Sequence, residues 1–383
     1  SDAIGGVVSI VTSRPEAGLE WGGFAEAGSF STWRTGARIA GGGERADGSL
    51  SLVFHASDGI SKADEADGNS EEDGYAALNV SGRTGVDLSD AVRVEGIARW
   101  TQAEFDFDGF PPPSFALADS NERSENDELM LAGRLLASLL DGRFDNELLI
   151  SQSEINRQSF SNGVESALNE GARTTYRYNG AFDIADGHAV MFGLEREDSE
   201  ADGEEARTDS VFALYEFAPI DSLTLTGGVR YDDDERYGSE TTGRAAVSWE
   251  ASETVRLRGS WGQGFKAPTI FQTNYICTFC GLSAPNRDLQ AETSEGYDIG
   301  LDVDLAGGEF SLTAFDQETE NLIDFSFTEG YANIALARQR GFEAAYSAPL
   351  TEWGGLQMSY TYLGAGDGAG APLPRVPEHS GGL

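Results

Sequence analysis

Apolar and polar residues alternate with period two along most of this chain. Val92, Val94, Gly96, Ala98 and Trp100 fall on one face, and Arg93, Glu95, Ile97 and Arg99 on the other. The period returns at Leu223, Leu225, Gly227, Val229 and Tyr231 against Thr224, Thr226, Arg230 and Asp232, and at Val255, Leu257, Gly259 and Trp261 against Arg256, Arg258 and Ser260. It continues at Tyr297, Ile299, Leu301 and Val303 against Asp298, Asp302 and Asp304. Leu356, Met358, Tyr360 and Tyr362 oppose Gln357, Ser359 and Thr361. Period two is the period of a β-strand. An apolar face backed by a charged one suits lipid outside and a wet lumen inside. A strand of a soluble sandwich would carry the same alternation.

Three features favour the membrane. The segments number about 17, with an eighteenth begun. Aromatics stand at their ends: Trp21, Trp100, Tyr231, Trp249, Trp261 and Tyr362. The connections alternate in length. Short turns are expected at Asp87 to Asp90, Leu140 to Arg143, Ala218 to Ser222, Ala251 to Glu253 and Ala306 to Gly308. Long polar loops are expected at Asp58 to Gly74, Glu104 to Asn126, Arg157 to Glu170, Gly264 to Gln290 and Glu320 to Asn333. Outer-membrane barrels are threaded this way, with short periplasmic turns and long extracellular loops. The expected class is all-β, a transmembrane antiparallel β-barrel.

Composition agrees. No apolar run approaches the ~20 residues a membrane helix needs, whereas a barrel strand needs only about 9–11, half of them polar. The 48 glycines against 11 prolines suit strands and tight turns. The formal charge of −39 argues against nucleic acid as a partner. Many acids cluster in the long loops, where they either keep exposed loops soluble or bind cations. No signal peptide precedes Ser1, and no closing aromatic strand follows Gly381, so both ends are expected to be missing.

Ser1 to Thr12 does not read as a barrel strand. Its paired Gly5 and Gly6, followed by Val7, Val8, Ile10 and Val11, suit a strand packed in a small globular domain. Here the chain resembles the TonB-dependent outer-membrane receptor family, in which such a stretch closes an N-terminal plug before the first barrel strand. Trp261 to Thr269 (WGQGFKAPT) resembles that family's mid-barrel strand-end motif, and Asn286 to Gly300 resembles the start of the next strand. Phe315, Glu320 to Ile323, Asn333 to Ala335, Arg338 and Gly341 to Glu343 resemble the following hairpin. Arg375-Val376-Pro377-Glu378-His379 resembles a late descending strand, with Glu378 where the pattern has a basic or polar residue. The resemblance implies residues 1–18 as the end of the plug with its linker, and 19–383 as part of a barrel of about 22 strands. It implies a place in the bacterial outer membrane among its lipids, and capture of a scarce small-molecule nutrient outside. It also implies coupling to TonB, with its inner-membrane energising complex, through a peptide that is not in this sequence.

Within the family, Glu72-Asp73-Gly74-Tyr75, Asp106 and Asp108 with Pro111 to Pro113, Arg230 to Asp234, and Leu322 to Phe325 most resemble the cobalamin-receptor branch. Members that bind cobalamin hold Ca²⁺ with loop aspartates. Asp64, Asp67, Glu71, Asp73, Asp106 and Asp108 are therefore candidate calcium ligands, with Ca²⁺ a structural ion and no other cofactor required. Ca²⁺ takes six to eight oxygens in a flexible cage, which two acidic loops can furnish. The alternative is solvated, mutually repelling carboxylates, since the spacing matches no EF-hand. A ligand with little charge calls for polar and aromatic contacts. Phe105, Phe107, Phe110 and Phe115 of the third loop and Tyr275 and Phe279 of the seventh are the candidates, or else they pack loop on loop.

A ferric siderophore is the alternative ligand and a passive porin the lesser alternative function. Copper, haem and sugar receptors also stay open, although three scattered histidines (His55, His188, His379) disfavour a histidine site. Cys277-Thr278-Phe279-Cys280 could be redox-active or half a zinc site, but lacks further Cys or His nearby. In an extracellular loop a structural disulfide is expected. Its loop is tiny, so its contribution falls below the ~3 kcal/mol of a 15-residue loop. No nucleophile elbow or Ser/His/Asp grouping points to an enzyme.

Overall fold

The computed structural model describes residues 14–326, 328–373 and 376–383; the side chains of Phe279, Ile334 and Ala335 are outside this description. The plug-like Ser1–Thr12 segment, Arg375 of the late-strand motif, and the candidate contact of the Phe279 ring therefore lie outside the described residues.

Strands dominate. They are β1 (Gly18–Gly28), β2 (Thr32–Gly42), β3 (Ala46–Ser57), β4 (Tyr75–Ser89), β5 (Val92–Gly109) and β6 (Ala118–Leu139). β7 (Phe144–Ser161), β8 (Val164–Ala185), β9 (His188–Ala201), β10 (Glu204–Ile220), β11 (Leu223–Asp234) and β12 (Gly238–Ser252) follow. The last six are β13 (Val255–Lys266), β14 (Glu292–Leu305), β15 (Gly308–Ser326), β16 (Gly330–Thr351), β17 (Gly354–Asp367) and β18 (His379–Gly382). One short helix, α1 (Ile270–Asn274), sits between β13 and β14. Among the described residues no helix is long and apolar enough to cross a membrane, which says nothing about crossing by strands.

The chain divides into two compact units. Among the described residues, one holds residues 14–178 with Glu195–Arg207, and the other holds Asn179–Leu194 with the residues from Thr208 onward. In the first, β1 to β7 pair antiparallel in chain order, so each hairpin is local. In the second, β10 to β18 do the same. Residues directly opposite one another share a face. Val86, Val94 and Leu135 thus form one apolar row, and Arg83, Ile97 and Ala132 lie in a row of the other face.

The burial pattern is that of a membrane wall. Ile150 is 57% exposed and Ile299 68%, while Glu95 is 3% exposed. Such inversion is costly in water but expected where lipid covers the apolar face. Charges on the polar face are paired within and across strands. Glu95 accepts from Arg83 Nη2 at 2.7 Å, Arg93 Nε at 2.8 Å and Arg134 Nη1 at 3.2 Å, and Arg134 also pairs with Glu147. Unpaired charges at these positions would each cost several kcal/mol of desolvation, so the ladder register dictates which acid meets which arginine.

The loops differ from expectation. The Asp58 to Gly74 connection is a loop, as is residues 267–291. Glu104 to Asn126 is mostly ladder: pairing continues to Phe107↔Glu122 and Gly109↔Ala118. Arg157 to Glu170 is also strand, broken only at Asn162 (φ 52°) and Gly163 (φ 76°). Two central residues at positive φ make a tight hairpin turn, for which Asn-Gly is the favoured pair. The Glu320 to Asn333 segment likewise continues as β15 and β16. Period two disappears in these extensions because no lipid demands an apolar face there, while the backbone ladder runs on.

Candidate functional site

The connection from β3 to β4, residues 58–74, folds onto the tips of β5 and β6. Gly59 makes the fold-back possible: its φ is 74°, and a Cβ there would stand 2.0 Å from the Asp73 carbonyl oxygen. Asp64 caps the short 3-10 turn Glu65–Asp67, accepting from the Ala66 amide at 2.9 Å. Asn69 locks the turn to β6. Its Nδ2 donates to the Asp64 carbonyl at 2.9 Å, and its Oδ1 accepts from the Asp119 amide at 3.2 Å.

Carboxylates converge beneath this turn. Asp108 Oδ2 accepts from the Ala63 amide at 2.6 Å, and Asp73 Oδ2 from the Lys62 amide at 2.8 Å. Asp119 Oδ2 accepts from the amides of Ser70 at 2.8 Å and Glu71 at 3.1 Å. Ser61 Oγ bridges Asp108 and Asp119 at 3.2 and 3.4 Å. The outcome is that Glu71, Asp108 and Asp119 bring carboxylate oxygens within 4.8 Å of one another. Oxygens sharing one Ca²⁺ at 2.3–2.6 Å can be separated by no more than about 5 Å, so the trio fits one ion. Asp108 Oδ1 is buried with no hydrogen-bond partner, on a residue only 7% exposed. A buried anionic oxygen without a donor is expensive, and a cation would satisfy it.

The electrostatics point the same way. Burial pushes the Glu71 carboxyl above its ordinary value, and Asp119, Asp108, Asp73 and Asp106 add to the rise. Burial raises Asp73 too, opposed by the Lys62 amide and reinforced by the Asp108 carboxylate. Lys62 Nζ points elsewhere, donating to the Asp106 carbonyl at 3.1 Å.

Of the six candidate calcium ligands, Glu71 and Asp108 meet and Asp73 lies beside them. Asp106 donates its amide to the Gly74 carbonyl at 2.9 Å, with its carboxylate packed against Gly74. Asp64 and Asp67 sit exposed in the capping turn, outside the trio. Asp119 joins the trio from the first residues of β6. The sequence pattern does not mark it: the register irregularity between Phe107 and Gly109 is what places it next to Asp108.

The aromatic candidates separate. Phe105 and Phe107 are half-buried with ring centroids 6.0 Å apart, while Phe110 and Phe115 are exposed at the β5–β6 tip. In the other unit Tyr275 packs edge-on with Phe325 (5.9 Å) and Tyr331 (5.6 Å) and near Phe271 (5.3 Å). Phe271, Phe325 and Tyr331 are not among the candidate ligand contacts of the sequence, although Phe325 ends the Leu322 to Phe325 stretch. Cys277 and Cys280 are disulfide-bonded, with Cα atoms 5.2 Å apart. The motif residues hold this loop down. Lys266 Nζ meets the buried Glu292 at 2.8 Å, and the Ile323 amide donates to the same carboxylate at 2.7 Å. Asn333 exchanges hydrogen bonds with the Gln290 backbone at 2.9 and 3.0 Å.

An antiparallel strand meander with an inverted burial pattern, a charged polar face and elaborated connections at one end of its strands defines a class, and comparison agrees. The TonB dependent receptor-like β-barrel family matches residues 18–383, and the chain belongs to it. That is a family of receptors and transporters of the bacterial outer membrane. Among curated proteins, the chain is 24% identical over 330 residues to the vitamin B12 transporter BtuB of Photobacterium profundum, covering 84% of this chain and 52% of that protein. It is 28% identical over 186 residues to BtuB of Vibrio cholerae El Tor, covering 48% of this chain and 29% of that protein. Among solved structures it is similar in fold to a Pseudomonas aeruginosa ferric enterobactin receptor (PfeA) mutant in complex with enterobactin. The TM-score is 0.77 at 16% identity, covering 94% of this chain and 65% of that one. The siderophore receptor PirA of Acinetobacter baumannii gives 0.78 at 14%, covering 96% and 66%. The chain spans about half the length of the Photobacterium relative.

Proposed function

We propose that this protein takes up a corrinoid, cobalamin or a relative, across the outer membrane in a TonB-dependent manner. The observation that carries the reading is the carboxylate trio Glu71, Asp108 and Asp119 with its partnerless Asp108 Oδ1, in a chain whose curated relatives include vitamin B12 transporters. Glu71 belongs to the β3–β4 loop, and Asp108 and Asp119 to the β5–β6 hairpin. A Ca²⁺ ion among them would neutralise the mutual repulsion and tie loop to hairpin. The residues do the positioning: Asn69 and Ser61 hold the turn over the trio, and the Ala63, Ser70 and Glu71 amides aim its carboxylates. Phe105 and Phe107, and the exposed Phe110 and Phe115, then offer apolar contact to a ligand of low charge. TonB is the proposed energising partner, acting through the N-terminal plug.

The test is uptake of labelled cyanocobalamin by cells carrying the whole protein. Uptake that needs TonB supports active transport, and uptake indifferent to TonB supports a passive pore. Accumulation of a ferric siderophore in place of cobalamin would move the protein to the siderophore receptors.

A further inference from the structure

The residues leading into β1 are held in place by a device that the transport reading does not use. Arg14 lies ahead of β1 and reaches two turns on the wall. Its Nε meets Asp47 Oδ2 at 2.8 Å, and its Nη2 meets Asp87 Oδ2 at 2.7 Å. Asp47 is at the start of β3 and Asp87 near the end of β4, so one guanidinium spans the β2–β3 and β4–β5 connections. A planar fork with donors in two directions does this, and an ammonium would not. Arg93 grips the same two acids from β5, with Nη2 2.6 Å from Asp47 and Nη1 2.9 Å from Asp87.

The backbone beside Arg14 is seated as closely. A Cβ on Gly42 would stand 2.9 Å from the Glu16 carbonyl oxygen and 3.3 Å from that of Pro15. A Cβ on Gly41 would stand 2.6 Å from the Gly18 carbonyl oxygen. Ala17 bridges Gly42, and the chain then turns into β1 at Gly18, whose φ is 107°. The glycines are a notch for the incoming chain, and the two aspartates are its clasp.

We propose that Arg14–Ala17 is a fixed strap that isolates β1 from tension on the chain ahead of it. A loose tether would pass force directly to Gly18, and β1 would peel from β2 one ladder bond at a time. With the strap closed, force arriving from upstream is borne by the Asp47 and Asp87 turns, and the β1–β2 ladder beyond it is unloaded. This holds whichever ligand is carried, and whether or not TonB is the source of the tension.

Arg14→Met opens the clasp without orphaning the aspartates, because Arg93 still pairs both. The experiment is single-molecule pulling of the whole membrane-embedded protein from its N-terminus, beside hydrogen exchange of the same variant. The wild type should give a separate force peak where the chain is drawn taut to Arg14. The variant should lose that peak, and its first release should extend through Gly28, longer by roughly 50 Å at about 3.4 Å per residue. Exchange at the Glu16 to Gly18 amides should rise by about tenfold or more in the variant, while β5 amides stay as protected as before. Coincident force curves, or unchanged exchange at Glu16 to Gly18, would overturn the strap. A rise in exchange that spreads through β5 would overturn it too, since Arg14 would then belong to the wall.

Discussion

Replacing Asp108 by Asn separates a metal site from a merely acidic loop, because the two accounts predict opposite signs. The amide keeps the shape of the side chain, and its oxygen can still accept from the Ala63 amide. What it removes is one charge from a trio whose oxygens lie within 4.8 Å. At that separation and an effective dielectric near 20, each like-charged pair repels by about 3 kcal/mol before screening. Without a cation, Asp108→Asn therefore relieves repulsion and tightens the loop. With calcium it removes a ligand of full charge, and ligand charge count is what shifts calcium sites between micromolar and millimolar affinity. A loss of roughly 100-fold, or about 2.7 kcal/mol, is expected. The assay is thermal unfolding of the whole detergent-solubilised protein across a calcium titration. Wild type should be stabilised by about 2.7 kcal/mol once calcium reaches a hundred times its Kd. Asp108→Asn should start higher without calcium and gain little from it. If the variant keeps the full calcium-dependent gain, the trio does not hold the ion.

Other consequences follow from single contacts. Gly59→Ala forces a side chain to φ 74° with its Cβ 2.0 Å from the Asp73 carbonyl oxygen, so it should cost about 1–3 kcal/mol and raise hydrogen exchange across residues 58–74. Glu71 and Asp73 are raised above ordinary carboxyl values, so their contribution to the stability of the metal-free loop is fully present below those ordinary values and is lost as pH rises through the raised ones. Calcium binding needs Glu71 ionised and is favoured by an ionised Asp73 beside it, so calorimetry should find its affinity falling as pH falls into that same window. Glu292→Ala leaves Lys266 and the Ile323 amide without their buried acceptor and should destabilise by roughly 3–5 kcal/mol in chemical denaturation, whereas the Glu292→Leu, Lys266→Met double variant should recover the part due to the unpaired lysine and keep the loss of about 1–3 kcal/mol that the unsatisfied Ile323 amide causes.

The sequence was most legible where lipid imposes a rule. From Val92 to Trp100 every second residue must suit hydrocarbon, so both the strand and its two faces are legible in the sequence. Above the lipid that rule lapses. Arg157 to Glu170 lost its period and read as a loop, although Asn162-Gly163 carried the signature of a tight hairpin. The same lapse hid Asp119, since its place beside Asp108 depends on a ladder irregularity between Phe107 and Gly109. Asp64 looked equivalent to Glu71 in a run of acids. Only the fold distinguishes them, because one carboxylate is spent capping the Glu65–Asp67 turn and the other joins Asp108 and Asp119. Charges on the inner face were visible as a face, but that Arg83, Arg93 and Arg134 all converge on Glu95 is a property of register.

The central claim is that an ion held by Glu71, Asp108 and Asp119 orders the outer loops to capture a corrinoid. The most direct measurement is equilibrium binding of cyanocobalamin to the purified whole protein, with excess calcium and again with a chelator. The account predicts binding that weakens at least about tenfold when calcium is removed and that Asp119→Asn and Asp108→Asn weaken in the presence of calcium. Binding of equal strength in calcium and in chelator, or none in either, would contradict it.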